Sequence, residues 1–185
     1  MINHIRISNL ERDGYMKSKE SYSISNFKPI YDNSTKVLIL GSHPSVKSKK
    51  LGFYYMNPHN RFWKVLSSLL KCDFINVSND EKERMLLNNN IGLHDVVKAC
   101  TIIGSSDTTI KSVEPIDLVS ILNVSNIKYI FLNGKKAYSL FEKYFKDIAK
   151  EHCVSYKVMP STSPANARYS FDDLVSHWKE ILNNN

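Results

Sequence analysis

Along this chain, blocks of apolar residues alternate with polar ones, and the period of the apolar positions changes from block to block. Lys36-Val37-Leu38-Ile39-Leu40 and Lys128-Tyr129-Ile130-Phe131-Leu132 are short, nearly unbroken apolar runs, the pattern of strands buried on both faces of a parallel sheet. Residues 91–97 and 154–159 are also strand-like, the former with His94 and Asp95 side by side in mid-run. Between these runs the period lengthens. Phe62, Val65, Leu66, Leu69 and Leu70 fall on one face of a helix that begins near Asn60, and residues 80–88 read as a second helix. A third is expected over 115–122, started by Glu114-Pro115. A fourth, over 137–150, has the stripe Tyr138, Phe141, Tyr144, Phe145 and Ile148, and a last, over 171–182, carries Leu174, Val175, Trp178 and Ile181. Strands alternating with helices predict an α/β fold: a three-layer α/β/α sandwich around a central, mostly parallel four-stranded sheet.

Composition narrows the class. With 185 residues, 42% of them hydrophobic and 23% charged, the chain fits a single domain over 27–185. Residues 1–26 are polar and poorly periodic, with Arg6, Arg12, Lys17 and Lys19 interspersed, and read as an N-terminal extension, either a short strand or a flexible arm. The net charge of +7 weakly favours an anionic partner. There is no apolar run of membrane-spanning length and no signal-peptide pattern, so a cytoplasmic monomer is expected. Cys72, Cys100 and Cys153 lack C-x-x-C spacing and read as buried thiols, with neither metal nor other cofactor implied.

Candidate chemistry collects in the segments that follow strands. In an open α/β sheet ligands sit beyond the carboxyl ends of the strands. Three loops qualify: Gly41-Ser42-His43-Pro44-Ser45, Asn133-Gly134-Lys135-Lys136, and residues 160–168, which are dense in small polar side chains. The second resembles a strand-to-helix turn able to hold a phosphate, although it is too short for a Walker loop. Gly104-Ser105-Ser106-Asp107 reads as a plain loop. Residues 52–63 supply an aromatic wall with amides and a guanidinium, suited to a flat heterocycle. Asn60 is open to two readings, a functional amide or a cap for the helix after it. His94 and Asp95 either serve a site or simply face solvent. Ser42 with His43 could suggest a serine hydrolase, but adjacent residues seldom present nucleophile and base to each other, and no G-x-S-x-G surrounds Ser42.

Taken together, the motifs resemble a known family. Gly-Ser-His-Pro-Ser at 41–45, Tyr-Tyr-x-x-Pro-x-Asn-Arg-Phe-Trp at 54–63 and Pro-Ser-Thr-Ser-Pro-Ala-Asn-Ala at 160–167 are similar to the hypoxanthine-DNA glycosylases of the uracil-DNA glycosylase superfamily. The run around Asn60 and the turn at Gly134 also resemble its mismatch-specific uracil/thymine branch. The resemblance implies a monofunctional base-excision repair glycosylase, associated with the nucleoid. It would hydrolyse the N-glycosidic bond of a flipped-out deaminated base, hypoxanthine ahead of uracil, in single- or double-stranded DNA. A catalytically silent binding module with the same fold is the alternative. Residue by residue, the resemblance implies Asn60 as the catalytic amide, because His43 occupies the place of the uracil branch's water-positioning asparagine. Ser42 and His43 stand beside it as further catalytic candidates. Tyr55 would form the floor under the base, with Tyr54 packed inward, and His94 and Asp95 would read the base. Ser45, Lys135, Lys136, Ser161, Thr162 and Ser163 would grip phosphates, and Ala165, Asn166 and Arg168 would enter the space the flipped nucleotide vacates. Met56-Asn57 departs from the glycine and histidine usual in that family.

Overall fold

The structure, a computed structural model, describes residues 20–103 and 110–184. The loop expected at Gly104-Ser105-Ser106-Asp107 lies outside the described residues, as does most of the N-terminal extension. Four parallel strands form the central sheet: β2 (Val37–Gly41), β3 (Ile91–Asp95), β6 (Tyr129–Asn133) and β7 (Ser155–Met159), in the order β3-β2-β6-β7. The chain leaves β2 for β3 on one side and fills β6 and β7 on the other. The topological switch therefore falls at β2 and β6, whose carboxyl ends open onto the same crevice.

Alternation along β2 divides the core into two layers. Val37 and Ile39 face one side, where Phe62, Trp63 and Leu66 of α2 (Phe62–Leu70), Leu86 of α3 (Asn79–Asn88) and Trp178 of α6 (Phe171–Trp178) are buried. Leu38 and Leu40 face the other, against Leu118 and Ile121 of α4 (Leu118–Asn123) and Phe141 and Phe145 of α5 (Lys135–Glu151). This is the three-layer α/β/α arrangement expected. Each of these side chains contributes roughly 1.5–3 kcal/mol by leaving water.

Several elements differ from the sequence reading. Glu114 and Pro115, expected to start a helix, end a strand instead, β5 (Ile110–Pro115), and α4 begins only at Leu118, where the Asp117 carboxylate accepts from the Ser120 N–H. The last helix ends at Trp178 and tightens into a 3-10 turn over Lys179–Asn183. A short helix, α1 (Val46–Leu51), follows the first loop with Ser45 as its cap. A second, antiparallel sheet joins β5 to β4 (Val97–Ile103) and β4 to β1 (Glu20–Ile24). β1 is the short strand that is one of the two readings of the N-terminal extension, and it pairs with β4 from Glu20↔Ile103 to Ile24↔Ala99. Of the three cysteines only Cys100 is buried, while Cys72 is half-buried and Cys153 exposed.

Candidate active site

The carboxyl ends of all four parallel strands meet at one cleft of about 740 Å³, within the range of small-ligand pockets. Gly41 and the Ser42–Ser45 turn form one wall, Asn133 to Lys136 the next, and residues 158–169 a third, with Tyr55, Asn60 and Asp95 across the remaining side.

The floor is aromatic. Tyr55 stacks on Phe62 with ring centroids 4.0 Å apart, and its hydroxyl is buried beside Asn133. Its backbone is held at φ +56°, which costs on the order of 1–3 kcal/mol in a residue with a side chain. Tyr54 turns the other way, is 2% exposed, donates to the Lys28 carbonyl and accepts from Nδ1 of His94 at 2.9 Å. Burial of His94 pushes its pKa down to about 4, so the imidazole is neutral.

His94 is therefore not brought to the cleft. Neighbours on a strand point to opposite faces, so only one member of the His94-Asp95 pair can line the site, and it is Asp95. The Asp95 side chain packs on the bare Cα of Gly41, where an added Cβ would come within 2.2 Å of Oδ1. Glycine is required there by close approach.

Asn60 also lines the cleft, and its side-chain carbonyl accepts from the Phe62 N–H at 3.0 Å. The helix starts at Phe62, two residues later than expected, and Asn60 forms a turn leading into it. The helix cap itself is Arg61, so Asn60 is not the cap it could have been, although its side chain holds the turn just before the helix. Ser42 and His43 reach the cleft wall, but the His43 ring is fully engaged. Its Nδ1–H donates to the Val97 carbonyl at 3.2 Å, and Nε2 faces Lys49 Nζ and Ser23 Oγ, each at 3.0 Å. With Nε2 accepting and Nδ1 donating, His43 has no ring nitrogen left over for proton transfer.

The loop at 160–168 is held from three sides. The Arg61 guanidinium donates to the carbonyls of Ser163 (3.1 Å), Asn166 (2.8 Å) and Tyr169. Asn133 and Thr162 exchange two hydrogen bonds, Nδ2 to Oγ1 at 3.0 Å and backbone N–H to Oδ1 at 2.9 Å. Gly134, at φ +98°, lies so near Ser161 that a Cβ would meet the serine Cβ at 2.8 Å. Thr162, expected to grip phosphate, is 0% exposed with hydroxyl and N–H both taken by Asn133, and it anchors the loop instead. Ser161, Ser163, Ala165, Asn166 and Arg168 remain on the cleft side, the alanine and arginine exposed. Opposite them α5, capped by Gly134 without a side-chain bond, brings an exposed Lys135 to the rim with the first-turn N–H groups, whereas Lys136, expected to grip phosphate, lines the cleft with its Nζ buried out of solvent.

Three residues central to this geometry escaped the sequence reading. Arg61 stood inside a quoted motif, and Asn133 stood at the end of a predicted strand, but neither position reveals a partner about a hundred or thirty residues away. Lys49 sits on a helix too short to show a period. Among the described residues no group of three or more His, Cys, Asp or Glu side chains converges as metal ligands would.

The parallel α/β/α domain has a strand-end cleft with an aromatic floor, a basic rim and a tightly cross-tied hydroxyl loop, and the comparisons with known proteins identify it as a DNA glycosylase. The chain belongs to the uracil DNA glycosylase superfamily, whose family model matches residues 28–184. It is 36% identical over 158 residues to a hypoxanthine DNA glycosylase of Methanosarcina barkeri, covering 84% of this chain and 96% of the relative. A hypoxanthine DNA glycosylase of Methanosarcina acetivorans is 34% identical over 157 residues, with the same coverage. A solution NMR structure of a candidate uracil DNA glycosylase from Methanosarcina acetivorans matches with a TM-score of 0.73 at 32% identity, covering 84% of this chain and 94% of that one. No helix among the described residues is long and apolar enough to cross a membrane.

Proposed function

We propose that this glycosylase excises hypoxanthine from DNA in preference to uracil, by direct attack of water, and leaves an abasic site. The observation that carries the reading is the meeting of Asn60, Asp95 and the Tyr55 ring in one cleft. The names carried by the two Methanosarcina relatives support the choice of base.

A base inside a duplex must be swung out before its bond can be cut, at a cost of a few kcal/mol. Stacking on the Tyr55 ring returns ~1–3 kcal/mol of this. As the bond from C1′ to the base breaks, positive charge grows on the sugar and negative charge on the base. Asn60 holds the water on the sugar side, and Asp95 meets the hydrogen-bonding edge of hypoxanthine, which offers an N1–H and an O6. His43 occupies the place of the uracil branch's asparagine with its ring nitrogens already engaged, so Asn60 is left as the amide for water. Ser161, Ser163, Lys135 and the N-terminus of α5 hold the backbone phosphates, while Ser45 is committed to Ser48 as the cap of α1 and the Lys136 Nζ is buried. Arg168, exposed at the loop tip with Ala165 and Asn166, fills the vacated stack.

The test is a set of oligonucleotides carrying hypoxanthine, uracil, xanthine or thymine opposite each normal base, incubated with the protein and then treated with alkali. Hypoxanthine is expected to be released fastest, with strand breaks only after the alkali step. A preference for uracil of more than about tenfold in kcat/KM, some ~1.4 kcal/mol in the wrong direction, would refute the substrate assignment. Strand breaks before alkali would refute direct hydrolysis.

A further inference from the structure

Asp95 stands in an unusual position for a carboxyl group. It is 4% exposed and lines the cleft, yet its Oδ2 is buried with no hydrogen-bond partner among the described residues. Its Oδ1 lies over Gly41, on the same spot approached by the Tyr55 hydroxyl. An ionised carboxylate with an unsatisfied buried oxygen is costly, whereas the neutral acid is far less so and has a proton to give.

The charged and titratable groups around it are few. Lys49 of α1 favours the ionised form, but its ammonium is already bound to His43 Nε2 and Ser23 Oγ. Tyr54 and Tyr55, from the segment between α1 and α2, are held neutral by burial, an effect reinforced by the charge Asp95 would carry. His94, its neighbour on β3, is neutral at ordinary pH. Loss of hydration outweighs the pull of Lys49 and raises the Asp95 pKa to about 7.

We propose that Asp95 is the general acid of the reaction, handing its proton to the departing base. This rests on reading the cleft as the base pocket. When the C1′–N bond breaks, its electron pair passes to the base, and the proton from Asp95 neutralises that charge. Water held by Asn60 adds its oxygen to C1′, and the proton it sheds restores the acid by way of solvent. The sum is one water consumed, one neutral base released and one sugar hydroxyl formed. Asn60 has no transferable proton, so the two residues divide the work, one serving the sugar and the other the leaving group. Gly41 belongs to the same device, because any side chain there would displace the acid.

The experiment is a pair of single-turnover pH profiles on a duplex carrying hypoxanthine, for the wild type and for Asp95→Asn. The amide keeps the carboxyl's shape but cannot titrate. The wild-type rate is expected to fall about tenfold per pH unit above the pKa of Asp95. Asp95→Asn is expected to be ~10²-fold slower at low pH and to lack that falling limb, while its affinity for a duplex with an uncleavable hypoxanthine analogue stays within a few-fold. Asp95→Glu, which restores a proton, should recover part of the rate together with the falling limb. An Asp95→Asn rate within about threefold of wild type, or an unchanged falling limb, overturns the assignment. Failure of the cleft reading would look different: Tyr55→Ala and Asp95→Asn would both leave affinity for the analogue and cleavage untouched.

Discussion

Replacing Arg61 by alanine would remove the clamp on the loop that carries Ser161, Ser163 and Arg168. The guanidinium makes three hydrogen bonds to backbone carbonyls of that loop. Hydrogen bonds from a charged group are worth ~1.5–3 kcal/mol each, an upper sum of about 5–9 kcal/mol. Two effects reduce it. The side chain is only half-buried, so water can take over the freed carbonyls, and its Nε is buried without a hydrogen-bond partner, a penalty that disappears with the arginine. A loss of ~2–4 kcal/mol remains, and at ~2–4 °C per kcal/mol for a chain of this size the melting temperature should drop by roughly 4–16 °C. Urea titration checks the free energy directly, since a shifted midpoint at unchanged slope reports stability alone. Arg61→Lys should recover less than half, because an ammonium cannot span three carbonyls in the geometry of the fork. Binding to damaged duplex should weaken in both variants as the loop loosens. An Arg61→Ala unfolding free energy within about 0.5 kcal/mol of wild type would mean that water satisfies the loop as well as arginine does, and the clamp reasoning would be wrong.

Asn60→Ala should lower the single-turnover rate by ~10²-fold or more with DNA affinity within a few-fold, and should also cost about 0.5–2 kcal/mol of stability through the lost bond to Phe62 N–H. Asn60→Ser, which keeps a side-chain oxygen, separates the two: near-normal cleavage by a stable serine variant would leave the amide a purely structural role. Gly134→Ala should cost ~1–3 kcal/mol in thermal unfolding, because φ is +98° and Ser161 Cβ occupies the space; an unchanged melting point would show that the turn relaxes freely.

What could be read from the sequence follows what was buried on both sides. β2 and β6 stand out because every interior position must be apolar, and α2 and α5 because one face must be. The antiparallel sheet has no such signature. β1 reads Glu-Ser-Tyr-Ser-Ile with Tyr22 and Ile24 exposed, and β5 is interrupted by Ser112 at φ +48° and by register shifts against β4. A bulged, half-polar strand loses the period of two on which sequence reading depends. The same reason hid α1, whose Val46 and Leu51 are both exposed, and with it Lys49. At the site, the residue types were legible but their division of labour was not. His94 and Asp95 looked like a pair until the strand sent them to opposite faces, and Thr162 looked like Ser161 and Ser163 until Asn133 claimed both its polar groups.

That division has a common physical cause. Each wall of the cleft is fixed by polar groups from another element: Arg61 holds the 160–168 loop, Asn133 holds Thr162, the Val97 carbonyl holds His43, and Gly41 gives Asp95 its seat. Little of the site is a free loop that must be ordered when DNA arrives. Catalysis by aimed donors and acceptors depends on their being in position before charge develops, because reorganising them during the reaction would consume the stabilisation they supply. Lys135 and Arg168 at the rim are the exception, on exposed side chains, whereas Lys136 is half-buried with its Nζ out of solvent. In the proposed function the exposed pair would meet a phosphate backbone whose path varies, while the buried groups would meet a base whose shape does not. On the function proposed above, the exposed cations thus serve affinity, which tolerates adjustment, and the cross-tied interior serves the chemical step, which does not.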